Sequence, residues 1–137
     1  NKLVYDSIAN EMATIQGDTI FNNKSVSHTN LGELSDLNSR FMYFGGDIKY
    51  DACAEVCNYS GTFIKYDPSL NKDSLVSRKL LDNFYKSERH NKQLLDTTYT
   101  RVGVKYNYFI EKTGYSDYVV YKCYATIVLI GEYRKRD

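Results

Sequence analysis

Toward the end of the chain, apolar and polar residues alternate with period two over two long runs, Tyr99 to Ile110 and Tyr118 to Arg134, joined by a short polar turn. In the first run Val102, Val104, Tyr106, Tyr108 and Ile110 alternate with Arg101, Gly103, Lys105, Asn107 and Glu111, which gives a strand with one buried and one mainly polar face. Between Tyr124 and Ile130 of the second run both alternating sets are apolar, so this strand is central and covered on both sides. Together they predict a long hairpin.

Elsewhere the spacing changes. Val4 or Tyr5, Ile8, Met12 and Ile15 recur every three or four residues and predict a helix over residues 3–15, stopped by Gly17 and Asp18. The polar stretch from Thr19 to Ser39 reads as a short strand at 19–22, another near 25–29, and a loop or helical turn through 31–37. Arg40 to Phe44 reads as a strand, Gly45-Gly46 as a hairpin turn, and Asp47 to Cys57 as the returning strand with Ile48, Tyr50, Ala52, Ala54 and Val56 on one face. Ser60-Gly61 offers a second turn before a strand at 62–66 that ends at Asp67-Pro68. A helix over residues 73–89 follows, capped by Asp73 or Ser74, with Val76, Leu80, Leu81, Phe84 and Tyr85 on its buried stripe. The fold these elements predict is α+β and β-dominated. Its antiparallel meander curls into a barrel or half-barrel, with an N-terminal helix and one inserted helix, and residues 1–137 form a single domain.

Composition sharpens the picture at the aromatic residues: fourteen Tyr and six Phe stand beside no Trp. Such side chains bury a ring while keeping a hydroxyl for water or a partner. The net charge of +1 argues against a nucleic-acid footprint, and Arg134, Lys135 and Arg136 read as the solvated end of a strand. The longest apolar run, Ala125 to Ile130, is strand-sized rather than membrane-spanning. The chain starts at Asn1 without an initiator Met or signal peptide, so a leader or membrane anchor is expected to precede it in the natural protein.

Three cysteines, Cys53, Cys57 and Cys123, allow at most one internal disulfide. On one extended strand Cys53 and Cys57 lie about 13 Å apart, beyond bridging distance unless the chain turns between them. Cys123 can pair with either across strands, or all three can be small buried hydrophobes.

No catalytic pattern stands out. His28 and His90 lie in polar surroundings, and neither adjoins a glycine-framed nucleophile, although Cys53 or Cys57 with His28 forms a Cys-His pair on paper. Cys53 and Cys57 lack a second ligand pair to complete a metal tetrahedron, so neither a metal nor a cofactor is expected. Asp47 with Asp51, and Glu111 with Asp117, sit at turns where acidic residues are ordinary. Gly45-Gly46 lacks the phosphate-loop pattern, and the sequons at Asn23 and Asn58 are uninformative. What remains is the aromatic set. Phe41, Tyr43, Tyr50, Phe63 or Tyr66, Tyr106, Tyr108 and Tyr121 are expected to line one cavity for a flat, mostly apolar amphiphile, with His28 near its polar head.

The order of elements resembles the periplasmic domains of the ToxS family and the functionally related VtrC, partners of membrane-bound ToxR-type transcription regulators. The likeness rests on the N-terminal helix and polar stretch, the run Arg40-Phe-Met-Tyr-Phe-Gly-Gly-Asp-Ile-Lys-Tyr50, and Gly61-Thr-Phe-Ile-Lys-Tyr66. It continues through Lys72-Asp73, Asn83-Phe84-Tyr85-Lys86 and the terminal strands. The resemblance implies a calycin-like barrel completed by a partner's strands, a bile-salt-like ligand, and a periplasmic heterodimer anchored in the inner membrane by a preceding segment. The expected function is therefore non-enzymatic sensing or co-regulation. The alternative is a secreted or periplasmic, pilotin-like adaptor whose Tyr residues pave a protein interface.

Overall fold

The computed structural model describes residues 2–133. A four-stranded mixed sheet carries helices on both faces. In chain order the elements are β1 (Val4–Tyr5), α1 (Ser7–Asn23), a 3-10 turn (Gly32–Leu34), α2 (Leu37–Tyr43), β2 (Asp51–Lys65), α3 (Lys72–Lys86), α4 (Glu88–Leu94), β3 (Arg101–Lys112) and β4 (Tyr118–Glu132). The sheet order is β1-β3-β4-β2, with β1 parallel to β3 and the other pairings antiparallel. The sheet is open, with β1 and β2 at its edges, rather than a closed barrel. The α+β class and the terminal hairpin agree with the sequence reading.

Strand β4 is central, as its doubly apolar pattern requires. On one face Val128 and Ile130 pack with Ala9, Met12 and Ala13 of α1 and Phe41 of α2. On the other, Cys123 and Ala125 pack with Val56 of β2 and with Val76, Leu80 and Phe84 of α3. A smaller cluster of Ile20, Cys57 and Tyr124 continues the α1 face. Both coverings are helical.

Several boundaries differ from the sequence reading, each for a physical reason. Helix α1 starts at the Asp6 cap, whose carboxylate accepts from the Ala9 N–H at 2.9 Å, and runs through Gly17 to Asn23. Gly17 does not stop it, because this residue faces β3, where an added Cβ would lie 2.9 Å from Lys105 Cγ. The strands expected at 19–22 and 25–29 are therefore helix and loop.

Residues 40–43 are helical rather than extended, with Phe44 as the C-cap. Asp36 caps α2 by accepting from the Ser39 N–H at 2.8 Å, and Gly45 (φ +98°) and Gly46 terminate it, Gly46 lying flat against the Phe41 ring. The glycine pair ends a helix instead of turning a hairpin. Ser60-Gly61 makes no turn either: β2 continues unbroken to Lys65, paired along its whole length with β4. The predicted inserted helix divides at Ser87, whose hydroxyl caps α4.

Candidate functional site

Two places in the described structure combine unusual chemistry with access. The first is a polar cluster where the loop after α1, helix α2 and strand β2 converge. Gln16, buried on α1, holds that loop: its side-chain amide donates to the Ser27 and Thr29 carbonyls at 2.7 and 3.0 Å and accepts from Asn30 at 3.0 Å. This anchoring places His28 over β2. There His28 Nδ1 lies 2.9 Å from Glu55 Oε1, with the imidazole 54% exposed and the carboxylate only 2%.

Arg40 lies beneath them, fully buried. Its guanidinium donates to both Glu55 oxygens at 3.0 and 3.2 Å, to the Leu34 carbonyl at 2.9 Å and to the His28 carbonyl at 3.1 Å, while its Nε has no partner. A buried ion pair persists only when its charges are matched and hydrogen-bonded. Cys57 completes the group, its Sγ 3.7 Å from both Glu55 Oε1 and His28 Nδ1 and 3.8 Å from Thr126 Oγ1.

Burial, then the Glu55 charge, pushes the Cys57 thiol up to about 12. Such a thiol is a poor nucleophile at neutral pH. The Cys57-His28 pair seen on paper thus exists in space, but Nδ1, the nitrogen facing the sulfur, also faces Glu55. Among the described residues no base-orienter relay forms through the opposite ring nitrogen. The arrangement suits ligation or structural support better than acyl transfer.

The second place is an apolar cleft of about 230 Å³ between α3 and the sheet, lined by Leu80, Leu81 and Phe84, by Val104 and Tyr106 of β3, and by Ala125 and Ile127 of β4. Ser77 adds a hydroxyl to the lining, and Tyr106 donates to Asp73 at 3.3 Å. Leu81 and Val104 are about half exposed, so the cleft opens to solvent.

The aromatic residues singled out from the sequence do not meet in one cavity. Phe41 is core on the α1 face; Tyr43 and Tyr50 are exposed near α2 and before β2; Phe63 is exposed near the far end of β2. Tyr106, Tyr108 and Tyr121 belong by strand alternation to the opposite, α3 face, and only Tyr106 of the set lines the apolar cleft. Their separation follows from the helical state of residues 37–43. His28 joins the polar cluster instead of an aromatic wall.

His90, on α4, packs edge-on against Phe84 with its Nδ1 buried and without a hydrogen-bond partner among the described residues, and burial lowers its pKa, with smaller contributions from Arg89 and His28. Asp51 pairs with Arg101 and Glu111 with Lys122, so neither belongs to a carboxylate dyad. All three cysteines are free, and Cys123 lies on the opposite sheet face from Cys53 and Cys57, which excludes the cross-strand link. The basic residues 134–136 lie outside the described residues.

Sequence reasoning missed Arg40, Glu55 and Cys57 as a unit. One signal was available: Glu55 interrupts the apolar run Ala52 to Val56, and Arg40 adjoins Phe41 and Met42. Opposite charges placed within two apolar segments are what a buried pair requires.

No family model matches the chain, and no curated protein matches its sequence. Among solved structures it is similar to an outer surface protein from Borrelia burgdorferi, with a TM-score of 0.57 and 14% identity over 97% of this chain and 80% of that one. An extracellular protein containing an SCP domain, from Bacillus anthracis, superposes with a TM-score of 0.49 and 16% identity over 88% of this chain, which spans 33% of that protein. At 14% identity the first likeness bears on the fold alone. No described helix is long and apolar enough to cross a membrane.

Proposed function

We propose that this chain is an extracytoplasmic, non-enzymatic domain that binds an apolar amphiphile in the cleft between α3 and the sheet. The carrying observation is the cleft itself, whose walls are apolar apart from Ser77 and the Tyr106 hydroxyl. Its volume of about 230 Å³ falls below the range of roughly 300 Å³ upward that encloses a drug-sized ligand. A single acyl chain, or the edge of a fused ring system, therefore enters while the polar head stays near Tyr106 and Asp73. The surface location of the Borrelia protein with this fold supports placing the domain outside the cytoplasm.

The resemblance to the ToxS family supports a bile salt as the amphiphile, a ToxR-type regulator as partner and an inner-membrane anchor ahead of the chain. Strand β2, paired on one side only, is where a partner's strand would add.

A second reading, an adaptor with no small ligand, draws on one observation. Phe63, Tyr115 and Tyr118 are exposed together at the far end of the sheet, the rings of Phe63 and Tyr118 stacked at 5.0 Å and 10°. Thermal melts with saturating taurocholate or laurate separate the two readings. At a hundredfold excess over Kd a bound ligand adds about 2.7 kcal/mol. At roughly 2.1 cal/mol/K per residue for 137 residues, that raises Tm by about 9 °C. Val104→Trp, which fills the cleft mouth, should abolish the rise. A Tm indifferent to both amphiphiles would overturn the cleft reading and favour the adaptor.

A further inference from the structure

The polar cluster invites a different ligand from the cleft. We propose that His28 Nδ1, Glu55 Oε1 and Cys57 Sγ form a site for a thiolate-bound divalent metal ion, with Zn2+ chemistry and one open coordination position. The three donor atoms lie 2.9, 3.7 and 3.7 Å from one another. Tetrahedral zinc with ordinary bond lengths separates a nitrogen from an oxygen ligand by about 3.3 Å, and sulfur from either by about 3.5 Å. Each observed spacing is thus within about 0.4 Å of its target, and small side-chain rotations suffice.

The donor set selects the metal. One imidazole, one carboxylate and one sulfur suit Zn2+ or Co2+, whereas Ca2+ and Mg2+ demand more oxygen ligands than the cluster supplies. Glu55 is already oriented by Arg40, which fixes the carboxylate from behind as outer partners of metal ligands do. Access comes through His28, the exposed member, which forms the lip of the site above the buried Glu55 and Cys57.

Binding replaces the direct His28-Glu55 contact with two metal bonds: the Nδ1 proton shared with Glu55 is exchanged through solvent so that the ring carries its proton on Nε2 and Nδ1 offers its lone pair, and the Cys57 thiol becomes thiolate, its proton leaving to solvent. Glu55 and Cys57 then carry two negative charges against the metal's two positive ones. The Arg40 guanidinium adds a further positive charge, so the open position favours hydroxide or another anion over neutral water. This site is separate from the amphiphile cleft: β2 presents Glu55 and Cys57 to the α1 face, and the cleft lies under α3.

The test is titration of the reduced, metal-free protein with Co2+ under anaerobic conditions. One equivalent should produce the intense visible absorption of tetrahedral cobalt and a near-ultraviolet thiolate-to-cobalt band, both reversed by Zn2+. Cys57→Ser should lose the thiolate band, and His28→Ala should weaken binding roughly tenfold or more. His28 is half exposed, so His28→Ala keeps the test valid if Cys57→Ser fails to fold. Cys123→Ser, on the opposite face, should bind as the parent does. A thiolate band that survives in Cys57→Ser, unchanged affinity in His28→Ala, or a parent spectrum without tetrahedral cobalt would each overturn the proposal.

Discussion

Replacing Arg40 with Met tests the polar cluster as a structural unit. The side chain is fully buried and donates four hydrogen bonds, two to Glu55 and one each to the Leu34 and His28 carbonyls. Met fills similar space but removes the guanidinium charge, leaving the Glu55 carboxylate, 2% exposed, with the His28 imidazole and the Cys57 thiol as its remaining polar neighbours. Breaking one side of a buried pair costs about 3–5 kcal/mol, mostly from the charge left behind. For 137 residues the unfolding entropy is roughly 0.29 kcal/mol/K, so Tm should fall by about 10–17 °C. Glu55→Leu alone should cost a comparable amount by stranding Arg40. The double variant, with no charge left to strand, should recover much of the loss and show a coupling of about 2 kcal/mol or more. Urea unfolding followed by circular dichroism, in buffer containing a chelator, supplies all four corners of the cycle without any contribution from bound metal. An Arg40→Met cost under about 1 kcal/mol, or strict additivity, would refute the view that the pair stands or falls together.

The remaining predictions concern other parts of the fold. Gly103 lets α1 lie directly on β3, since an added Cβ would sit 2.2 Å from the Ala9 and Asn10 backbone, so Gly103→Ala should cost about 3 kcal/mol in urea unfolding. The Tyr121 hydroxyl is buried without a hydrogen-bond partner among the described residues, so Tyr121→Phe should leave stability unchanged or raise it by up to about 1 kcal/mol, and a larger loss would reveal a partner for that oxygen. Burial pushes the Cys123 thiol up to about 12, so in a Cys53→Ser/Cys57→Ser background iodoacetamide should label it only as fast as the protein opens, a dependence that urea will expose. The Asp36 carboxyl is held below its ordinary value first by the Ser39 backbone N–H and then by the Ser39 side chain. Its folded pKa is lower than its unfolded one, so its contribution is present above about pH 3.9 and disappears as the pH falls further. Asp36→Asn should flatten that acid limb in a pH series of melts.

How far the sequence was legible varies along the chain with the kind of signal each segment carries. The period-two alternation of Val102 to Ile110 and the doubly apolar Tyr124 to Ile130 each mark a strand that stands where the pattern puts it, although on β3 the apolar Val104 and Ile110 are exposed while Gly103, on the face read as polar, is buried against α1. Val76, Leu80 and Phe84 likewise pack on the sheet, whereas Leu81 and Tyr85 of the same expected stripe are exposed. From Arg40 to Gly61 local cues misled. Phe41, Tyr43 and a glycine pair look like a hairpin when read alone, yet the Asp36 cap and the burial of Phe41 favour a helix of seven residues. A short apolar run cannot decide between the two states without its tertiary partner. The polar cluster was harder still, because His28, Arg40, Glu55 and Cys57 meet only after Gln16 has tied down a loop that has no regular structure of its own.

The strand register also brings the first and last strands together at one end of the sheet. Val4 pairs with Arg101 and Arg101 with Ile130, so the chain enters and leaves the sheet in the same row, two strand spacings or about 10 Å apart. From Ile130 back to Tyr118 the central strand spans about 40 Å. Val4 and Glu132 therefore lie at one end of the sheet, and the Phe63, Tyr115 and Tyr118 rings at the other. A pull between Val4 and Glu132 would load both ends at once, and β1, a strand of two residues with two paired positions, would give way before the fifteen-residue β2-β4 ladder.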